Sequence, residues 1–183
     1  MNKIIGICGV ARSGKDTLCE VMQELFPERN IARLAFADAL KRECEDFLKD
    51  NLGISPFTQD EREKELIRPF LVTYGTHLRR KLNPNCWIEI LADTIRHRNG
   101  TNDFAITDAR YPNEVEWIKS IGGTVIHVSR TGVKPANPEE KIHDPLLREM
   151  SDIEISIPTF KEDYFLKCRT IIETKLKKPQ IWN

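Results

Sequence analysis

Short β-rich runs alternate along the chain with stretches whose apolar residues recur every three or four positions. That alternation predicts a mostly parallel sheet flanked by helices. Residues 3–8 read as a buried first strand. Leu18, Val21, Met22, Leu25 and Phe26 then form one helical face, which Pro27 stops. Residues 31–36 read as a second strand. Asp38 is expected to cap the next helix, whose stripe is Leu40, Cys44, Phe47 and Leu48. Residues 51–64 are polar, contain Gly53 and Pro56, and read as a mobile connection. A helix is expected to start near Pro69, with Phe70, Tyr74 and Leu78 on one face. Another runs over about 84–97 with Trp87, Leu91 and Ile95 inward.

Asn99-Gly100 breaks the chain, and residues 104–107 read as a third strand. A short helix over 113–121 is stopped by Gly122-Gly123, and 124–128 is the fourth strand. Residues 130–150 hold Gly132, Pro135, Pro138 and Pro145, so they read as an excursion from the core. Ile153, Ile155 and Ile157 alternate as a fifth strand, and Phe165, Cys168, Ile172 and Leu176 mark a last helix. No repeat, low-complexity tract or linker interrupts the pattern. One domain over residues 1–183 is expected.

Composition narrows the classes. Lys plus Arg and Asp plus Glu are both 28, giving a formal net charge of zero, which argues against nucleic acid as a partner. No apolar run approaches the roughly 18 residues of a membrane-spanning helix. The apolar stretch at residues 4–8 is too short for a signal peptide. The five cysteines are widely spaced with no C-x-x-C pair. Reduced, mostly buried thiols in a cytosolic protein are the expectation.

The strongest chemical signal is Gly9-Val10-Ala11-Arg12-Ser13-Gly14-Lys15-Asp16-Thr17. It has the G-x-x-x-x-G-K spacing and lies between a predicted strand and a predicted helix. Glycines let the loop curl so that its N–H groups converge on phosphate oxygens. The helix that begins here adds its free N–H groups and positive dipole end. Lys15 supplies an ammonium for the β- and γ-phosphates of ATP. The motif ordinarily ends in Ser or Thr, which ligates Mg²⁺; here Asp16 stands there, with Thr17 next. Asp16 has three roles open: metal ligand, metal partner through water, or guide for the acceptor's attacking oxygen. Thr17 is placed to take over a hydroxyl contact to a phosphate.

Other polar residues fall where such a fold uses them. Asp38 follows a strand and opens a helix, at the sheet edge where ligands bind in open α/β folds, with Lys41 and Arg42 one turn on. A helix cap with solvated bases reads equally well. Arg79 leads the cluster Arg79-Arg80-Lys81, and its guanidinium offers the planar fork that suits phosphate. Trp87 is either a stacking surface for a base or a core residue, the spacing favouring core. Asp108 ends the third strand and points to magnesium held through water. Arg110, two residues on, reaches toward an acceptor phosphate or base, and Glu114 orients Arg110 by an ion pair. A strand-to-helix cap with local salt bridges also accounts for residues 108–114. Arg130 closes the fourth strand and is the first choice for a positive charge on the transferred group, with Arg148 second. His143-Asp144 is assigned no chemistry.

The chain resembles the deoxynucleoside monophosphate kinases of bacteriophages and their wider nucleoside monophosphate kinase relatives. The resemblance is carried by the Gly-Lys-Asp-Thr loop with four further segments. These are Phe36-Ala37-Asp38-Ala39-Leu40-Lys41-Arg42, Tyr74-Gly75-Thr76-His77-Leu78-Arg79 with Trp87-Ile88, Ile106-Thr107-Asp108-Ala109-Arg110-Tyr111-Pro112-Asn113-Glu114, and the Arg130 excursion. It implies an α/β P-loop kinase of three layers: a sheet of about five parallel strands between helices. It further implies ATP and Mg²⁺ at the loop, an acceptor-binding region over about 37–98 and a small lid over about 130–150. By the same resemblance Asp38 lies near a nucleoside monophosphate acceptor, Arg79 holds its α-phosphate, and the protein works in the cytoplasm, the host's if the gene is phage-borne. A homodimer is compatible with all of this. Two alternatives stay open: another P-loop small-molecule kinase, for dephospho-coenzyme A or phosphomevalonate, and a nucleotide-binding regulatory module that transfers nothing. The absence of an Asn-Lys-x-Asp motif weighs against a GTPase.

Overall fold

In the computed structural model, strands Ile4–Cys8 (β1), Ala32–Leu34 (β2), Phe104–Ala109 (β3), Thr124–Arg130 (β4) and Ile153–Ile157 (β5) pair in parallel. Their order is β2-β3-β1-β4-β5. The structure describes residues 3–98, 102–159 and 164–176; the break expected at Asn99-Gly100 lies outside them. The helices are Lys15–Leu25 (α1), Phe36–Glu43 (α2), Glu45–Leu52 (α3), Glu61–Val72 (α4), Arg80–Leu82 (α5), Cys86–His97 (α6), Pro112–Ser120 (α7), Pro138–Met150 (α8) and Tyr164–Leu176 (α9). A π-helical segment, Thr73–Arg79, joins α4 to α5. The chain divides into two compact units, one of Met1–Leu34 with Asn99–Asn183 and one of Ala35–Arg98.

The first unit holds the whole sheet in three layers. Side chains alternate across a strand, and β1 shows both faces. Ile5 and Ile7 join a core with Leu18, Val21 and Met22 of α1 and Cys168, Ile172 and Leu176 of α9, all fully buried. On the opposite face Gly6 lies against Ile118 of α7, and the Cys8 thiol donates to the Leu147 carbonyl of α8 at 3.9 Å. Each fully buried isoleucine contributes about 1.5–3 kcal/mol. β1 is central, pairing Ile4 with Phe104 of β3 and Ile7 with Ile126 of β4. The chain leaves β1 for the far edge, returns to β3 beside it, then crosses to β4. The switch point, where ligands gather in such sheets, is the carboxyl end of β1.

The second unit is helical. Its core is Cys44, Leu48, Ile54 and Ile67, with Leu40, Phe70, Leu71 and Tyr74 packed against it. Several expectations are corrected along this stretch of the chain. Asp38 does not cap α2; the helix starts earlier, at Phe36, after an extended Ala35. The strand before it is accordingly shorter than 31–36. Residues 51–64 are in part helical: α3 reaches Leu52 and α4 starts at Glu61, where the Asp60 carboxylate accepts from the N–H groups of Arg62 and Glu63 at 2.8 and 3.2 Å. That cap outcompetes Pro69, which lies inside α4 rather than at its start. Leu78 is 52% exposed instead of facing inward with Phe70 and Tyr74. A π turn holds more residues than an α turn, so it rotates the face that 3.6-residue spacing predicts.

Two further corrections fall in the first unit. β3 extends to Ala109, which pairs with Cys8, so Asp108 lies within the strand rather than beyond its end. Residues 138–150, read from their prolines as an excursion, form α8, with Asn137 accepting from the Glu140 N–H at 2.8 Å and Pro138 in the first turn. Leu147 is buried. All five cysteines are free and buried, in line with the thiols expected from their spacing.

Candidate active site

The loop between β1 and α1 folds back tightly. Gly9 has φ +131°, and a Cβ there would lie 2.2 Å from the Val128 carbonyl oxygen. Only glycine permits that approach of two backbones. Arg12 adopts a left-handed φ of 64°, exposed, and its side chain has no partner among the described residues. The Ser13 N–H donates to the Val10 carbonyl at 3.2 Å, closing the turn. Ser13 itself is fully buried, and its hydroxyl has no hydrogen-bond partner among the described residues. An orphaned buried hydroxyl is costly unless a ligand satisfies it.

Lys15 is the buried cation of this loop, 9% exposed. Its ammonium donates to the Gly9 and Val10 carbonyls at 2.8 and 2.7 Å. Burial pushes its pKa below the ordinary lysine range, and the nearby Arg110 guanidinium pushes the same way; Glu140, Asp16 and Asp108 oppose them. Asp16 lies in the first turn of α1 with its side chain 79% exposed, the Arg33 Nε 3.9 Å away. Thr17 is half-buried in the first turn. Ala11 donates its N–H to the Glu140 carboxylate at 3.2 Å.

The other strand ends of this unit bring further groups to the same edge. Asp108 is half-buried in β3, and Arg130 is the last residue of β4. The Arg110 guanidinium lies 3.6 Å from Glu140. Glu114 acts on Arg110 through the main chain: its carboxylate accepts the N–H groups of Arg110 and Tyr111 at 2.7 and 3.0 Å. At 1% exposure, Glu114 is a buried capping carboxylate of α7. Arg148 is paired with Glu154 at 2.6 Å, on an exposed surface. No cluster of three or more His, Cys, Asp or Glu side chains is poised for a metal among the described residues. Mg²⁺ commonly takes one or two carboxylates plus phosphates and water, so Asp16 and Asp108 fit a metal that arrives with a polyphosphate. The unsatisfied Ser13 hydroxyl, the amides at the head of α1 and the Lys15 ammonium fit the polyphosphate itself.

The second unit carries a different constellation. Arg79 ends the π segment and pairs with Glu43, the last residue of α2. Tyr74 donates its hydroxyl to the same carboxylate, which raises the Tyr74 pKa above the usual phenol range. Burial lowers the pKa of Arg79, and the Glu43 hydrogen bond and charge more than reverse this. The guanidinium lies 5.5 Å from the Trp87 ring centroid, and Trp87 is only 3% exposed. Trp87 is therefore a core residue supporting Arg79, the role its spacing favoured. Gly75 lets the π segment pack closely on α2, where a Cβ would meet the tip of the Leu40 side chain at 2.7 Å. Asp38 is half-buried on α2, and Arg42 is exposed beside Glu43. Sequence reasoning missed Glu43, 36 residues from Arg79, the Tyr74 hydroxyl that shares its carboxylate, and Glu140. An acid or phenol in a helix carries no signal until its partner is placed.

Residues 7–124 match the family model described as phosphomevalonate kinase. The chain belongs to the phosphomevalonate kinase family. The match opens in β1 and takes in the phosphate loop, the helical unit and β3, ending at the start of β4. Among curated proteins, an uncharacterized protein, ORF76, of Ictalurid herpesvirus 1 (strain Auburn) is 28% identical over 152 residues. That alignment covers 81% of this chain but 56% of the herpesvirus protein, so the chain spans little more than half of that relative. A protein of Acanthamoeba polyphaga mimivirus named "Putative deoxynucleotide monophosphate kinase" is 28% identical over 149 residues, 71% of this chain and 75% of its own. Solved structures with a similar trace include dephospho-CoA kinase from Campylobacter jejuni (TM-score 0.45, 12% identity, 94% of this chain and 96% of that one). TT1252 from Thermus thermophilus (0.48, 14%, 97% and 99%) and shikimate kinase from Acinetobacter baumannii (0.45, 16%, 96% and 92%) are others. At these scores the traces add nothing to the family match.

Proposed function

We propose that this member of the phosphomevalonate kinase family transfers the γ-phosphoryl group of ATP to a nucleoside monophosphate, giving the diphosphate and ADP, with a deoxynucleotide as the preferred acceptor. The observation that carries the phosphoryl-transfer reading is one loop that holds both the buried Lys15 ammonium and the orphaned Ser13 hydroxyl, and in which Gly9 leaves room for nothing but backbone. The acceptor reading is supported by Arg79 and by the name of the mimivirus relative. The Arg79 side chain is about one-third exposed and held against Glu43, and its guanidinium offers the planar fork that suits a phosphate oxygen.

The mechanism follows from positions and charge. Main-chain amides at the head of α1, the Ser13 hydroxyl and Lys15 hold the phosphate tail, with Thr17 as a further hydroxyl. Asp16 and Asp108 would hold a Mg²⁺ that arrives with ATP, directly or through water, and the metal would supply charge neutralisation there. Arg130 adds positive charge toward the transferred group. Arg79, ordered by Glu43, holds the acceptor's phosphate, with Asp38 and Arg42 on α2 as further acceptor contacts. The attacking phosphate oxygen is already anionic at neutral pH, so no general base is required.

A coupled assay of ADP release tests this with the four deoxynucleoside monophosphates, their ribonucleotide counterparts, phosphomevalonate and dephospho-CoA as acceptors. ADP release that depends on a nucleoside monophosphate is expected. Release driven only by phosphomevalonate, the acceptor in the family's name, would replace the nucleotide by that acceptor. Slow hydrolysis indifferent to every acceptor would replace the kinase by a binding module.

A further inference from the structure

Glu140 is the one carboxylate of α8 that reaches the phosphate loop among the described contacts. Its side chain is 9% exposed. Oε2 accepts the Ala11 N–H at 3.2 Å and the Ala136 N–H at 2.9 Å, while Oε1 faces the Arg110 guanidinium at 3.6 Å. Its charge is also felt at Lys15. So nearly buried a carboxylate is tolerable only when donors replace its water. Two of the groups facing it, the Ala11 amide and the Arg110 guanidinium, are ones that a phosphate oxygen would also seek.

We propose that Glu140 is a built-in anionic occupant of the phosphate loop, which the terminal phosphates of a polyphosphate must displace. The proposal rests on the phosphate-loop reading above. The Ala11 N–H has one hydrogen and serves one acceptor at a time. Two anions sharing the cradle repel across a short, poorly screened distance. A triphosphate tail therefore expels the carboxylate. Two consequences follow from its contacts. Ala136 loses the acceptor of its N–H, loosening the residues that lead into α8. Arg110 loses its counter-charge and becomes available to the incoming phosphates. Glu140 thus couples occupation of the loop to release of the first turn of α8, and holds Arg110 away from phosphate until a nucleotide arrives.

The test compares inorganic tripolyphosphate and MgATP binding by calorimetry in wild type, Glu140→Gln and Lys15→Ala. Removing the competing charge should tighten both ligands by about tenfold in Glu140→Gln. Unchanged or weaker binding in a Glu140→Gln protein with wild-type melting overturns the proposal, because a merely structural carboxylate would give that result. Wild-type binding that is indifferent to Lys15→Ala, or no binding by any of the three proteins, overturns the phosphate-loop reading itself. A second readout needs no variant. Hydrogen exchange at the Ala136 amide of the wild-type protein should speed up on adding MgATP, and unchanged or slower exchange overturns the proposal.

Discussion

Arg79 and Glu43 make a two-nitrogen contact, Nε at 2.9 Å from one carboxylate oxygen and Nη2 at 3.2 Å from the other. Only the Nη2 contact is a directed hydrogen bond; the Nε–H does not point along its short distance and stays unsatisfied. The pair is about one-third exposed on each side, so its value lies less in stability than in ordering a guanidinium. Arg79→Ala should raise the KM of the acceptor roughly ten- to hundredfold, the worth of one charged hydrogen bond of about 1.5–3 kcal/mol. Glu43→Gln should raise it less. Steady-state kinetics with both substrates varied decides this, since equal effects on the KM of ATP would remove the acceptor role.

Lys15→Ala should lower turnover by at least about a hundredfold, as loss of a charge on a transferring phosphoryl group does. Far-ultraviolet circular dichroism should be unchanged, because Lys15 packs against its own loop. Near-wild-type turnover would defeat the loop assignment.

Gly9→Ala should be the most damaging single methyl in the loop. The new Cβ would meet the Val128 carbonyl oxygen at 2.2 Å, at a φ of +131°. Backbone cannot rotate away as a side-chain tip can. A loss of at least about 2 kcal/mol is expected in denaturant unfolding, with polyphosphate binding abolished at temperatures where the variant is still folded. Wild-type stability would mean the loop and β4 part more easily than their contact implies.

The thiols should be inert in the native protein. Burial pushes Cys8 up to about 12, with the Asp144 charge adding to it, and pushes Cys19 and Cys44 up to about 11. Alkylation at pH 8, followed by mass spectrometry, should be slower by roughly a hundredfold or more than in denaturant at these positions. Rapid native labelling of Cys8 would contradict the packing of α8 on β1.

The Arg148–Glu154 pair should register in acid and not in turnover. Hydrogen bonding to Arg148 holds the Glu154 carboxyl below its usual 4.5. The depressed folded-state value means the pair's contribution is present above the unfolded pKa and is lost as pH falls through the folded one. In Arg148→Ala, the Glu154 titration followed by NMR should move back up, and turnover should stay near wild type. A large loss of turnover would return Arg148 to the transferred phosphoryl group, where its sequence position first placed it.

Strands and their order of appearance were legible because β1, β4 and β5 are apolar runs or alternations that nothing else explains, and the Gly9–Thr17 spacing is specific to one task. Boundaries were less so. Asp38 and Pro69 each carry a valid start signal, yet Phe36 and the Asp60 cap begin those helices first. Leu78 was misplaced because the turn between α4 and α5 is wider than the period used to read it. Glu114 was read from its neighbour's side chain, while its carboxylate turned to main-chain N–H groups four and three residues back.

By itself the sequence determined the phosphate loop, the parallel sheet and the candidacy of Lys15, Asp108, Arg79 and Arg130, since local spacing fixes what a strand, a turn and a helix start can present. The tertiary structure decided who answers those charges. Glu43 sits 36 residues from Arg79, and Glu140 sits 129 from Ala11. Pairings across such distances depend on which elements pack side by side, and no local pattern encodes that.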